Sequence, residues 1–90
     1  MPKKLNDILL EDQVNTFSTF DLGCSAALTS IGFELISLDK KNPRKVMFIF
    51  RDKTGVEKAI NDYFSDKLEV NARTLFDNIK MLKNRIYSNL

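Results

Sequence analysis

Four cations fall within six residues at Lys40-Lys41-Asn42-Pro43-Arg44-Lys45. They lie between two segments rich in strand formers, Phe33 to Leu38 and Val46 to Arg51, so the proline turn would hold them at the tip of a β-hairpin. The chemistry such a cluster can perform is phosphate neutralisation. Lys40, Lys41, Arg44 and Lys45 could each displace a counterion from a nucleic-acid backbone, and Asn42 and Arg44 carry the donor patterns that read base edges. A two-stranded ribbon is also narrow enough to enter a major groove. The structural alternative is that hairpin tips face water, where lysines deter edge-to-edge pairing. Arg51 and Lys53, at the far end of the second strand, point to another part of the surface.

A second set of cations, Arg73, Lys80, Lys83 and Arg85, stands opposite an apolar stripe in the last segment. Arg73, Asp77, Lys80 and Asn84 fall on one line at helical spacing, with Asp77 diluting the charge. Lys83 and Arg85 also have a purely structural use, because cations late in a helix meet the negative end of its dipole. The expected nucleic-acid contacts, to DNA or RNA, are therefore Lys40, Lys41, Asn42, Arg44 and Lys45, joined by Arg73, Lys80 and Lys83.

Other chemistry is poorly supplied. The chain has no histidine and one cysteine, Cys24. That removes the commonest general base, the commonest zinc ligand and every histidine-dependent triad. A serine or cysteine nucleophile would need a lysine base, for which no motif exists. Asp39-Lys40-Lys41 contains the D-x-K element of metal-dependent nucleases, which would need a further acid such as Asp21 to hold Mg²⁺. Two fixed positions in three arise by chance in a lysine-rich chain. Cys24 lies near the start of a helix, where the dipole lowers a thiol pKa, but among Ser25, Ala26 and Ala27, where a small packing residue is wanted. The expectation is a non-enzymatic protein without metal or cofactor.

Ninety residues support one domain with one core. Apolar content of 43% and charged content of 29% are ordinary for a folded domain, and seven phenylalanines supply large burial to a small core. No apolar run exceeds Val46 to Phe50, too short for a membrane span, and Asp7, Glu11 and Asp12 interrupt any signal-peptide core. With one cysteine, these features read as cytoplasmic. The net charge of +2 is unevenly spread. Residues 33–53 and 71–90 each carry +3, while 1–32 and 54–70 each carry −2, so two basic segments ride on a mildly acidic scaffold.

The elements that must position these groups follow from periodicity. Residues 1–13, with Leu5, Ile8 and Leu9 at helical spacing, read as an N-terminal arm or short helix, and 14–90 as a single α+β domain. Val14 to Phe20 suits a short strand, with one of Phe17 and Phe20 exposed. Asp21 to Ile31 reads as a helix capped by Ser18, Thr19 or Asp21, with Leu22, Ala26, Ala27 and Ile31 as a narrow face and Gly32 in the left-handed terminal position. The run Val46 to Arg51, apolar on both faces, reads as an inner strand. Thr54-Gly55-Val56-Glu57 matches a capping box ahead of a helix bearing Val56, Ala59, Ile60, Tyr63 and Phe64 on its core face. Leu68 to Val70 is a brief edge strand or a link. Asn71 caps a final helix with Ala72, Leu75, Phe76, Ile79, Leu82 and Ile86 inward. The predicted fold is α+β, a small antiparallel sheet built on a central hairpin (33–51) and covered by two or three helices.

The succession Phe20-Asp21-Leu22, Ala26-Ala27-Leu28, Gly32-Phe33-Glu34-Leu35, Asn42 to Phe50 and Ala72 to Phe76 resembles a small family of domains of unknown function from bacterial and phage or other mobile-element genomes. The likeness covers roughly residues 17–88. It implies a compact α+β unit and a phage context, and brings no functional residues with it. A second functional class is therefore kept beside nucleic-acid binding: a protein-interaction module, such as a phage-encoded inhibitor or adaptor of a host nucleoprotein machine, or a homodimer. It would work through an exposed sheet edge or the apolar chain ends, Leu5, Ile8 and Leu9 or Ile86, Tyr87 and Leu90.

Overall fold

A computed structural model describes residues 15–88. The expected arm over residues 1–13 lies outside them, as do Val14 and Leu90. The elements run β1 (Thr16–Thr19), α1 (Leu22–Ser30), β2 (Leu35–Asp39), β3 (Met47–Arg51), α2 (Val56–Phe64) and α3 (Ala72–Ile86). The three strands form an antiparallel sheet in the order β1-β3-β2, so β3 is the inner strand and the fold is α+β.

The register sorts the strand residues by face. Phe50 sits between Phe17 and Leu35, and Phe48 between Thr19 and Leu38. Phe48 and Phe50 are 1% and 0% exposed and join the core beneath the helices. The alternate residues belong to the other face: Ile49 between Ser18 and Ser37, Met47 opposite Asp39, and Arg51 opposite Thr16. Met47 and Ile49 are half-buried and stand outside the core cluster. The apolar run of β3 thus marks a central strand whose second face is left open by the described helices. Ile36 is the extra residue at a bulge in β2 and is exposed.

α1 departs from the narrow face expected of it. Cys24 through Leu28 are all buried, because the helix packs against both α2 and α3 and adds Cys24, Ala26 and Leu28 to the core that holds Phe48 and Phe50. Ile31 lies just past its end and is exposed. A helix without a solvent face must satisfy its own hydroxyls. Ser25 Oγ donates to the Asp21 carbonyl (2.8 Å), Thr29 Oγ1 to that of Ser25 (2.8 Å) and Ser30 Oγ to that of Ala26 (2.7 Å). Asn78 Nδ2 of α3 donates in turn to Ser30 Oγ at 2.9 Å. Of the three candidate caps Asp21 is the one used, its carboxylate accepting from the Cys24 N–H at 2.7 Å. A Cβ at Gly23 would strike the Tyr63 hydroxyl of α2, so a side chain there requires that ring to shift. Gly32 takes the expected left-handed conformation (φ 105°).

The capping box does not form. The residue preceding α2 is Gly55, at φ 95° and without a side-chain cap, so the helix starts one residue too late for Thr54 and Glu57 to face each other. Glu57 still favours the positive end of the dipole. Val56 and Ala59 are buried and Ile60 and Tyr63 half-buried, whereas Phe64 is 61% exposed and meets the Tyr63 ring edge-on at 4.9 Å. Residues 68–70 form an extended link, not a strand. Asn71 caps α3 as expected, accepting from the Thr74 N–H at 3.0 Å. The seam of α3 is Leu75, Ile79, Leu82 and Ile86, with Leu82 fully buried. Phe76 lies one residue round the helix from Leu75 and Ala72 is the first residue of the helix; both are exposed, so Phe76 is not a core residue.

Cys24 is a packing residue. Burial, and then the neighbouring Asp21 carboxylate, push its thiol from 9.0 up to about 11. Two consequences are expected. Cys24 resists thiol reagents near pH 8 until the domain is unfolded. Stability is also lost as pH rises from 9 toward 11, because there the unfolded thiol ionises while the folded one does not, a difference of at most about 2–3 kcal/mol. Tyr63, also raised by burial, acts in the same direction. Denaturant titrations of wild type and Cys24→Ala across this range should give a shallower alkaline decline in the variant. Equal declines would mean that the thiol is solvated.

Candidate nucleic-acid interface

The tip between β2 and β3 is shaped by its own short side chains. The Lys45 N–H donates to the Asn42 carbonyl (3.0 Å), the Lys41 N–H to Asp39 Oδ1 (3.0 Å) and the Arg44 N–H to Asn42 Oδ1 (3.0 Å). These turns give the tip one backbone path while residues 41–45 stay exposed. The side-chain oxygen of Asn42 is occupied by this role, which its amide nitrogen does not share.

Lys40 behaves differently from its neighbours. Its Nζ donates to the carbonyls of Arg85 (2.8 Å) and Ser88 (2.9 Å), capping the C-terminal end of α3. Two of its three ammonium donors are thereby engaged at the helix end, and the contact ties the start of the tip to the last turn of α3. It also brings the two basic segments together, since the last turn of α3 carries Lys83 and Arg85. Arg85, left to the helix dipole on sequence grounds, is therefore at the junction. Lys80 lies roughly 7.5 Å up the helix axis from Arg85, at about 1.5 Å per residue, and its ammonium sits over the Phe76 ring at 5.4 Å. Arg73 is roughly 18 Å from Arg85 on the same measure and does not belong to this end. Lys40→Met should lower stability by about 0.5–1 kcal/mol and speed amide exchange over residues 85–88. Unchanged exchange there would show that the contact does not hold the helix end.

On the outer sheet face the tip carries a hollow of about 240 Å³, lined by Phe20, Asp39, Lys41, Asn42, Lys45 and Met47. Phe20 follows β1 and by register faces Met47. Its ring is 50% exposed, and Lys45 Nζ lies over it, 4.6 Å from the centroid. Phe17, three residues earlier and so on the opposite face of β1, packs against the core instead. Sequence reasoning left these two rings undistinguished. The signal that separates them is the alternation of β1, readable only once its pairing to β3 is known.

The opposite end of the sheet offers a contrast. A wider depression of about 520 Å³ is lined by Asn15, Thr16, Phe17 and residues 52–57, where Lys53 is outnumbered by Asp52 and Glu57. Nearby, Arg51 Nε pairs with Glu34 at 3.0 Å, away from the tip as expected. The D-x-K acids are engaged elsewhere: Asp39 accepts from the Lys41 N–H and Asp21 from the Cys24 N–H. Among the described residues no group of three acids, cysteines or histidines could hold a metal, and no helix is long and apolar enough to cross a membrane.

A family model described as Domain of unknown function (DUF5659) matches residues 14–88. No curated protein and no solved structure matches the chain.

Proposed function

We propose that this chain, which belongs to the DUF5659 family, is a non-enzymatic module that binds nucleic acid with the hairpin-tip end of its domain. The observation that carries this reading is the pair of bonds from Lys40 to the Arg85 and Ser88 carbonyls, which hold the basic end of α3 against the basic tip. Lys41 and Arg44, exposed on a turn fixed by Asp39 and Asn42, neutralise phosphates, and Lys83 and Arg85 add a second group of cations nearby. Lys40 positions the two groups relative to each other. Base readout is limited to the Asn42 amino group and the hollow beside it. The test is an amide chemical-shift titration with a DNA and then an RNA oligonucleotide. Shifts confined to residues 41–45 and 83–88, with residues 52–57 unmoved, are expected. Shifts centred on 52–57, or none near physiological salt, would overturn the reading.

One set of observations favours the second class, a protein-interaction module. Phe64, Phe76 and Tyr87 are 61%, 61% and 79% exposed, large rings of the kind that anchor protein contacts. That reading stands if no oligonucleotide moves the tip amides.

A further inference from the structure

We infer that the nucleic acid taken by this site is single-stranded, with one unpaired base stacked on Phe20 in the hollow at the tip. The inference rests on the nucleic-acid reading and names its substrate class.

Three features carry it. First, Phe20 is half-exposed and stands outside the core cluster, so about half of its surface is open to a ligand. Second, the hollow combines what a single unpaired nucleotide needs. It has an aromatic face in Phe20, an apolar floor in Met47, cations in Lys41 and Lys45, and edge groups in the Asn42 amino group and the Asp39 carboxylate. A base inside a duplex presents only its edge, and a ring face lying in a sheet-side hollow has nothing to stack on there. Third, the face running away from the hollow is shallow. Ile49 is flanked by the small residues Ser18 and Ser37, with no described helix above them, so a strand leaving the hollow can lie across the sheet.

Lys45 is the movable part. In the free domain its ammonium covers the Phe20 ring at 4.6 Å. An exposed cation–π contact is weaker than a base–aromatic stack, so an incoming base displaces the ammonium from the ring. The displaced ammonium remains beside the site, where it can meet the phosphate of the same nucleotide. The exchange sets a closed, self-covered ring against an open one that holds a base and pairs its phosphate.

The test uses the full chain and two probes, a labelled thymidine strand of about ten nucleotides and a labelled duplex of the same length. The chain contains no tryptophan, so Phe20→Trp places a single reporter in the hollow. Wild type should prefer the single strand. Phe20→Ala should weaken single-strand binding by about five- to a hundredfold while leaving duplex binding unchanged. Phe20→Trp should bind the single strand at least as well as wild type, with its emission quenched on binding. Equal binding of the single strand by wild type and Phe20→Ala, or an unquenched tryptophan at saturation, would overturn the inference while leaving a phosphate clamp intact. Failure of wild type to bind either probe would overturn both.

Discussion

Replacing Lys41 and Arg44 together by glutamate should lower oligonucleotide affinity by about 30- to 700-fold near physiological salt, or about 2–4 kcal/mol, if the tip is the proposed phosphate clamp. The two residues flank a tip whose backbone is set by Asp39 and Asn42, and neither side chain has a competing partner among the described contacts. On the proposed reading each substitution would remove one phosphate contact and place a carboxylate where a phosphate should sit. The fold should be unaffected, because residues 41–45 are exposed and the stabilising contact at this end is made by Lys40. Anisotropy titrations of wild type and the double variant at one salt concentration, with thermal unfolding as control, decide the matter. Unchanged affinity in a folded double variant would remove the tip from the interface.

Phe48→Ala should destabilise the domain by about 3–5 kcal/mol, against about 1 kcal/mol for Ile49→Ala. The two residues are adjacent on the central strand and differ in the face they serve. Phe48 is 1% exposed and lies in the core with Leu28, Val56 and Leu82, whereas Ile49 is half-buried on the face that no described helix covers. A domain of this size has a total stability on the order of 5–13 kcal/mol, so the first variant approaches the limit of folding and the second does not. Urea unfolding of both measures the sidedness of the sheet. Equal losses would mean that the outer face is packed as tightly as the inner one, and would close the surface on which a single strand is proposed to lie.

Much of this architecture was legible in the residues. The apolar run Met47 to Phe50 announced an inner strand, Asn71 announced the start of α3, and Gly32 the end of α1, because each is a local rule with a single reading. Where several rules competed, tertiary packing chose. Thr54 and Glu57 satisfy the spacing of a capping box, but the left-handed Gly55 starts α2 one residue later and separates them. The apolar stripes of α2 and α3 are wider than the surface available to cover them, which leaves Phe64 and Phe76 outside. α1 shows the opposite case, a helix so small in its side chains that packing on every side erased the periodicity that would have marked a face. The candidate site divides along the same line. The tip itself was visible as charge density in six residues. The bond that joins it to α3 spans 45 residues and leaves no local trace. The exposure of Phe20 likewise depends on strand register, which single-residue preferences do not encode.

The central claim is that phosphate neutralisation at the tip drives binding, and salt dependence tests it most directly. Anisotropy of labelled single-stranded DNA, duplex DNA and RNA should be followed with wild-type protein from about 50 to 300 mM salt. The expected result is binding that persists near physiological salt, with log affinity falling linearly against log salt at about 0.7 to 0.9 per phosphate contacted. Binding seen only at the lowest salt, or an affinity indifferent to salt, would contradict the claim and leave the cations of the tip as a solubility feature.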